Sequence, residues 1–174
     1  MKVRIALLPA AEQSAKLIDY SQALAVAGDG YRLDGDHLPH ITILAWEVDD
    51  LAEAESVLHL LDDVLLPEVH CKVEGLDCTN EGPNAGYILA HIEGSDELKA
   101  FMKTVHEAVR EKVGEADRAK YADRTPHLTI GVDVGGVSTL APAPLEVIEF
   151  DRVALVESGA YGAATNILFE QSLA

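Results

Sequence analysis

Two copies of one short pattern, His40-Ile41-Thr42 and His127-Leu128-Thr129, stand 127 − 40 = 87 residues apart in a chain of 174, each introduced by proline. A chain whose halves repeat has few ways to fold, because similar halves form similar units and bring equivalent residues to a common place. The match extends from Leu38-Pro39-His40-Ile41-Thr42-Ile43-Leu44 to Thr125-Pro126-His127-Leu128-Thr129-Ile130-Gly131, with five of seven positions identical or exchanging one aliphatic for another. The alternation of His, apolar, Thr and Ile has the period of a half-buried strand. His and Thr then share one face, about 7 Å apart along it, while Ile41, Ile43, Leu128 and Ile130 anchor the other. Proline lacks an amide hydrogen and suits the first residue of a strand, so Pro39 and Pro126 read as strand openers. A single H-x-T is what the wet face of any strand can show. Two copies with matching flanks, half a chain apart, point to duplication.

The surroundings repeat as well. Val3 to Leu8 is β-rich and ends at Pro9, and a helix is expected from about Glu12 to Ala27, with Leu17, Tyr20 and Leu24 at helical spacing and Gly28-Asp29-Gly30 as its stop. The loop Tyr31 to Leu38 leads to the first His strand, ending near Val48. Asp49-Asp50 opens a helix carrying Leu51, Leu58, Leu61 and Leu65, which Pro67 terminates; a strand from Val69 to Gly75 and a turn at Asn80-Glu81-Gly82-Pro83-Asn84 follow. The second half starts again with a strand, Tyr87 to Ile92. Ser95 then caps a helix with Asp96 and Glu97 in its first turn, where the helix dipole favours anions. Its Leu98, Phe101, Met102, Val105 and Val109 fall on one face. A short polar stretch leads to the second His strand, so strand, helix, His strand is the order in both halves.

Beyond Gly131 the halves part. Gly135-Gly136 and Ala141-Pro142-Ala143-Pro144 form a loop, and two strands, about Leu145 to Glu157 with room for a break and Ala164 to Gln171, meet at the turn Ser158 to Gly162. Alternating strands and helices also fit a doubly wound parallel sheet, but the glycine fingerprint of nucleotide-binding folds is missing. The expected class is α+β: two small, mostly antiparallel sheets with helices on their outer faces, the motif-bearing halves falling roughly at 1–84 and 85–174.

Charge narrows the partners. The formal net charge is −17, with only 13 Lys and Arg scattered along the chain. Proteins that track long nucleic acids show a basic stripe, so no long duplex is expected; a small phosphate ester needs only local positive charge. Hydrophobic residues at 48% and charged ones at 25% describe a soluble globular protein. The apolar run after Met1 is too short and interrupted for a signal peptide or membrane span. Cys71 and Cys78 match no zinc pattern and suit a reducing cytoplasm, which is the expected location.

Two histidines facing one substrate from opposite sides can act together as base and acid, each worth ~10²–10⁴-fold in rate. A threonine hydroxyl two residues on can donate to a non-bridging oxygen as its charge grows. That set needs no metal or cofactor and suits in-line displacement at phosphorus. The candidate catalytic residues are therefore His40, Thr42, His127 and Thr129. Arg124, three residues before His127, is a candidate phosphate contact. Tyr31, Tyr121 and Tyr161 are loop aromatics on which a base can stack, although packing or loop filling is the more ordinary reason for such residues. His37 makes H-x-x-H with His40, but on an extended segment the two rings face opposite sides, so no metal site is expected there. His59, His70, His91 and His106 read as structural or solvated.

The paired Pro-His-Ile-Thr-Ile and Pro-His-Leu-Thr-Ile motifs resemble those of the 2H phosphoesterase superfamily, which includes the LigT-like 2′-5′ RNA ligases and cyclic phosphodiesterases. The resemblance takes in the opening strand Val3 to Pro9, the strand and helix from Tyr87 to Val109, and a C-terminal hairpin with Gly159 to Gly162 before Leu168-Phe169-Glu170. It implies a bilobal α+β fold with a pseudo-twofold axis and a water-filled cleft between the lobes. It also implies catalytic roles for His40 and His127 and phosphate contacts from Thr42 and Thr129. Which histidine is the base stays open, as does the oligomeric state. The favoured activity is hydrolysis of a small cyclic or terminal nucleotide phosphodiester of the 2′,3′-cyclic type. The alternatives are 2′-5′ RNA ligation, cleavage of 2′-5′ or cyclic oligonucleotides, or a module that binds nucleotide without turning it over.

Overall fold

The computed structural model describes residues 1–24, 30–79, 86–132 and 140–174. The tail of the expected first helix at Ala25 to Ala27, Gly28-Asp29 of its stop, the turn at Asn80 to Asn84 and Gly135-Gly136 lie outside the described residues. The first half contains β1 (Lys2–Pro9), α1 (Ala11–Gln22), β2 (Ile41–Glu47), α2 (Leu51–Leu58) with a 3₁₀ turn at His59–Leu61, and β3 (Val69–Cys78). The second contains β4 (Tyr87–Ile92), α3 (Asp96–Ala108), α4 (Glu115–Ala122), β5 (His127–Val132), β6 (Val147–Ser158) and β7 (Ala164–Ser172).

All pairings are antiparallel, in the order β1-β2-β5-β4-β3-β6-β7, and β1 also pairs with β6. The two expected sheets are thus two arcs, β2-β1-β6-β7 and β5-β4-β3, of one hydrogen-bonded network. The arcs meet at β3–β6, from Val69↔Phe150 to Lys72↔Val147, and at β2–β5 through the single pair Ile41↔Leu128. Those two residues are equivalent in the repeat, 41 + 87 = 128, and a local twofold between the strands pairs equivalent positions in this way. β6 is long enough to serve both arcs because it runs unbroken for 12 residues, without the break its sequence allows.

Several elements differ from their sequence patterns. α1 stops at Gln22, and α2 with its 3₁₀ turn stops at Leu61, so Leu65 lies beyond the helix and is 81% exposed. Asp50 caps α2 by accepting from the Glu53 amide, and Ser95 caps α3 by accepting from the Leu98 amide. α4 forms in the stretch that reads as polar connection. It buries no side chain, so no apolar period marks it.

The core is built on β1, buried from Val3 to Pro9 because β2 and β6 flank it. Leu98, Phe101, Val105 and Val109 bury the face of α3 that their spacing defines, each stabilising by roughly 1.5–3 kcal/mol relative to exposure.

Both His strands carry a bulge at the same place. Across β1–β2 the register runs Ile5↔Leu44 then Ala6↔Thr42, leaving Ile43 as the extra residue; across β4–β5 it runs Ile88↔Gly131 then Leu89↔Thr129, leaving Ile130. A bulge leaves a carbonyl off the ladder and re-aims the neighbouring side chains. Here each bulge is held by a buried side chain from the opposite half. His106 on α3 donates from Nε2 to the Ile43 carbonyl at 3.0 Å, and Ser21 on α1 donates from Oγ to the Ile130 carbonyl at 2.6 Å. Ser21 also accepts from the Leu33 amide at 2.8 Å. The halves are cross-braced next to Thr42 and Thr129.

The second copy has Gly131 where the first has Leu44, and the structure gives the reason. The Tyr31–Arg32 segment crosses β5 there, and a Cβ at Gly131 would stand 3.1 Å from the Tyr31 carbonyl oxygen.

Candidate functional site

His40 and His127 line one cleft of about 290 Å³, together with Thr42 and Thr129. The duplicated strands deliver them in the same local arrangement. The Nδ1 of His40 donates to the Leu38 carbonyl at 2.8 Å, and the Nδ1 of His127 donates to the Thr125 carbonyl at 3.2 Å. Leu38 and Thr125 are themselves equivalent, 38 + 87 = 125. A carbonyl can only accept, so both rings carry their neutral-state proton on Nδ1 and leave Nε2 as the reactive nitrogen.

Each Nε2 meets a guanidinium. Arg4 Nη1 donates to His40 Nε2 at 2.9 Å and to Thr42 Oγ1 at 3.0 Å, while Arg4 Nε donates to Ser158 Oγ at 2.9 Å. Arg124 Nη2 donates to His127 Nε2 at 3.3 Å, and its guanidinium lies 5.5 Å from the centre of the Tyr121 ring. Burial, then the charge of Arg4, push His40 down to about 3. His127 is half-buried and is also lowered, by burial first and Arg124 second. Loss of hydration disfavours the imidazolium, and the neighbouring cation adds to it. Both rings are therefore neutral at pH 7 in the free cleft.

Lys2, Arg4 and Arg124 all line this cleft, and among the described residues no Asp or Glu does. Among the described residues neither arginine pairs with a carboxylate; the arginine and lysine ion pairs involve other side chains. In a chain of net charge −17 this is a local island of positive charge. Such a lining attracts anions and concentrates field in a confined space.

The rim is aromatic. Tyr87, Tyr121 and Tyr161 line the cleft, and Tyr87 donates its hydroxyl to the Tyr161 carbonyl at 3.0 Å. Tyr161 is 47% exposed and has φ of 55°, a left-handed conformation uncommon for a residue with a Cβ. Tyr31 stacks on His37 and reaches the Tyr161 ring with centroids 6.4 Å apart.

The structure thus gathers Arg124, Tyr121 and Tyr161 with the two H-x-T motifs. His37 turns to the Asp34 carboxylate at 2.9 Å and His59 to Asp62, both outside the cleft. His91, which reads in the sequence as structural or solvated, is the cross-strand neighbour of His127. His70 is exposed; with Glu68 and Glu149 it brings ligand atoms within 4.8 Å of one another, and none of the three lines the cleft. Sequence reasoning misses Arg4, Lys2 and Tyr87 in the cleft and the brace Ser21, while His106, read as structural or solvated, is structural. One signal for Arg4 is available: a cation inside the apolar run Val3 to Leu8 needs a polar partner if the strand is buried on both faces.

A larger cavity of about 720 Å³ lies between α3 and α4 and shares Arg124 with the cleft. It holds His106 but neither motif histidine.

The fold has solved counterparts at low identity. The protein TT0787 of Thermus thermophilus superposes with a TM-score of 0.71 at 18% identity, over 99% of this chain and 98% of that one. LigT of E. coli in complex with phosphate gives 0.67 at 14% identity, over 99% and 96%. The LigT complex with 3′-AMP gives 0.68 at 13%, over 99% and 97%. No curated protein matches the chain in sequence. The sequence model of the 2′-5′ RNA ligase superfamily matches residues 19–159, a span that contains both H-x-T motifs. The chain belongs to the 2′-5′ RNA ligase superfamily and is a 2H phosphoesterase.

Proposed function

We propose that the cleft hydrolyses a small cyclic or terminal nucleotide phosphodiester of the 2′,3′-cyclic phosphate type, by two-histidine acid/base catalysis. One observation carries the reading: two imidazoles with Nε2 as the reactive nitrogen share a cleft of about 290 Å³ with Lys2, Arg4 and Arg124, and no carboxylate lines it among the described residues. That volume is at the small end of ligand pockets and suits a mononucleotide better than a strand. LigT of E. coli, which shares the fold, has been crystallised with phosphate and with 3′-AMP.

His40 takes the role of base because it is the more deeply buried and enters the reaction neutral, the form able to accept a proton. His127 is more open and serves as the acid. Water loses a proton to His40 Nε2 as its oxygen attacks phosphorus. The bond from phosphorus to one ribose oxygen breaks, and that oxygen takes a proton from Nε2 of His127, which must enter the step as the imidazolium, protonated from solvent at the Nε2 that Arg124 otherwise faces. Afterwards His40 returns its proton to solvent and His127 regains one from it. Thr42 and Thr129 donate to non-bridging oxygens whose charge grows during the displacement. A hard divalent cation binds through oxygen ligands, and the cationic lining disfavours one, so the reaction is expected to proceed in chelator.

A panel of 2′,3′-cyclic nucleotides, ADP-ribose 1″,2″-cyclic phosphate and 2′-5′ linked oligomers, assayed in EDTA with product identification, tests the reading. Turnover of the small cyclic esters supports it. Turnover that EDTA abolishes, or a double His40→Ala/His127→Ala variant as active as the wild type, would sink it. Binding of every ligand with turnover of none would leave a nucleotide-binding module.

A further inference from the structure

Arg4 is the buried charge that the two-histidine chemistry leaves unused. It is 6% exposed, and no carboxylate pairs with it among the described residues. Burial lowers its pKa from the ordinary arginine value. Its hydrogen bonds, from Nε and Nη1, go to neutral acceptors on two strands: Ser158 on β6, and His40 and Thr42 at β2. No hydrogen bond of Nη2 occurs among the described residues. Beside Nη2 lies Gly162, at φ of 77°, where an added Cβ would approach to 3.4 Å, so the glycine leaves open the side of the cleft that Nη2 faces. A buried guanidinium without a counter-ion is costly. A tetrahedral anion would supply the missing charge and match the planar fork of donors.

We propose that Arg4 is the phosphate receptor of this cleft and a substrate-operated latch on His40. Without an anion, Nη1 occupies the lone pair of His40 Nε2. When a phosphoryl group enters, Nη2 and Nη1 turn to its non-bridging oxygens, Nε stays on Ser158, and Nε2 of His40 is released to accept a proton. The base is thereby exposed only in the presence of a ligand to act on. The latch function rests on the hydrolase reading above; the receptor function does not.

The test uses the full chain with inorganic phosphate as the probe, followed by calorimetry and by ¹⁵N spectra of the histidine rings. Arg4→Met keeps the length and apolar stem, and Arg4→Lys keeps the charge without the fork. Phosphate binding is expected to weaken on the order of 10- to 100-fold in R4M and to be partly restored in R4K. Four other influences act on His40: burial itself, the Leu38 carbonyl, His127 and Arg124. All four remain in the variants, so in R4M the His40 ring should titrate at higher pH than in the wild type.

Wild-type phosphate affinity in R4M, or a wild-type protein that does not bind phosphate, overturns the proposal. An unmoved His40 titration in R4M overturns the latch. If R4M does not fold, R4K decides: full affinity with an unmoved His40 titration overturns it. Loss of phosphate binding in R4M from a wild type that hydrolyses no diester keeps the receptor and ends the hydrolase reading. Unchanged kcat/KM in R4M on a diester that the wild type hydrolyses does the reverse.

Discussion

Removing the Ser21 hydroxyl tests whether the cross-brace holds the second His strand. Ser21 is fully buried, and its Oγ serves two backbone groups at once: it donates to the bulge carbonyl of Ile130 and accepts from the Leu33 amide. Ser21→Ala leaves both groups buried without that partner, and an orphaned buried group costs about 1–3 kcal/mol. The two together set an expected loss of about 2–4 kcal/mol, since some relaxation is available. For a chain of this length each kcal/mol moves Tm by roughly 2–4 °C, so Tm should fall by about 4–16 °C. Calorimetry and urea unfolding are the assays, the latter with m unchanged if only the native state is affected. Ser56→Ala is the control, because Ser56 is only partly buried on α2 and donates within its own helix; it should stay within about 0.5 kcal/mol. A Ser21→Ala protein melting within about 2 °C of the wild type would refute the brace. Because Ile130 follows Thr129, the variant should also lower kcat/KM.

Four further outcomes are expected. His40→Ala and His127→Ala should each cut kcat by on the order of 10²–10⁴-fold while near- and far-UV dichroism stay native. The kcat/KM profile requires His40 neutral and His127 protonated. Its acid limb therefore lies near the His40 value of about 3 and its alkaline limb below the usual 6.5, giving an optimum acid of 6.5 with macroscopic values that belong to the pair; an optimum above about pH 8 would reverse the reasoning. His40 also ties stability to pH: the unfolded chain binds its proton near 6.5 and the native one near 3, so the stability it contributes is present above 6.5. It is lost as pH falls toward about 3, at up to about 1.4 kcal/mol per pH unit. Unfolding of His40→Gln across that window should be correspondingly less pH-dependent. Tyr161→Asn keeps a residue that tolerates positive φ and removes the ring; if a base stacks there, KM should rise on the order of 10-fold with kcat nearly unchanged.

The elements legible in the sequence are those whose signal is local. Tyr87 to Ile92 is a short, mostly apolar run bounded by polar turns, and Ser95 with the apolar spacing that follows announces α3; both match the structure. α4 is invisible in the sequence because a helix that buries nothing has no period to read. Leu65 is misplaced by its spacing because a leucine at helical intervals looks the same whether or not the helix continues to reach it. β6 reads as breakable because its length is set by partners far away in sequence, β1 along one part and β3 along another.

By itself the sequence determined the repeat and, with it, the resemblance to the family whose model the chain matches. Two H-x-T segments with the same flanks require two strands that show His and Thr to one side, since alternation and proline placement are local properties of the chain. Only the tertiary structure decided what surrounds those residues. Arg4 is 36 positions from His40, Ser21 is 109 from Ile130 and His106 is 63 from Ile43. A buried polar side chain is stable only where a partner waits, and that partner is chosen by how strands and helices from the two halves close on each other, which no local pattern records.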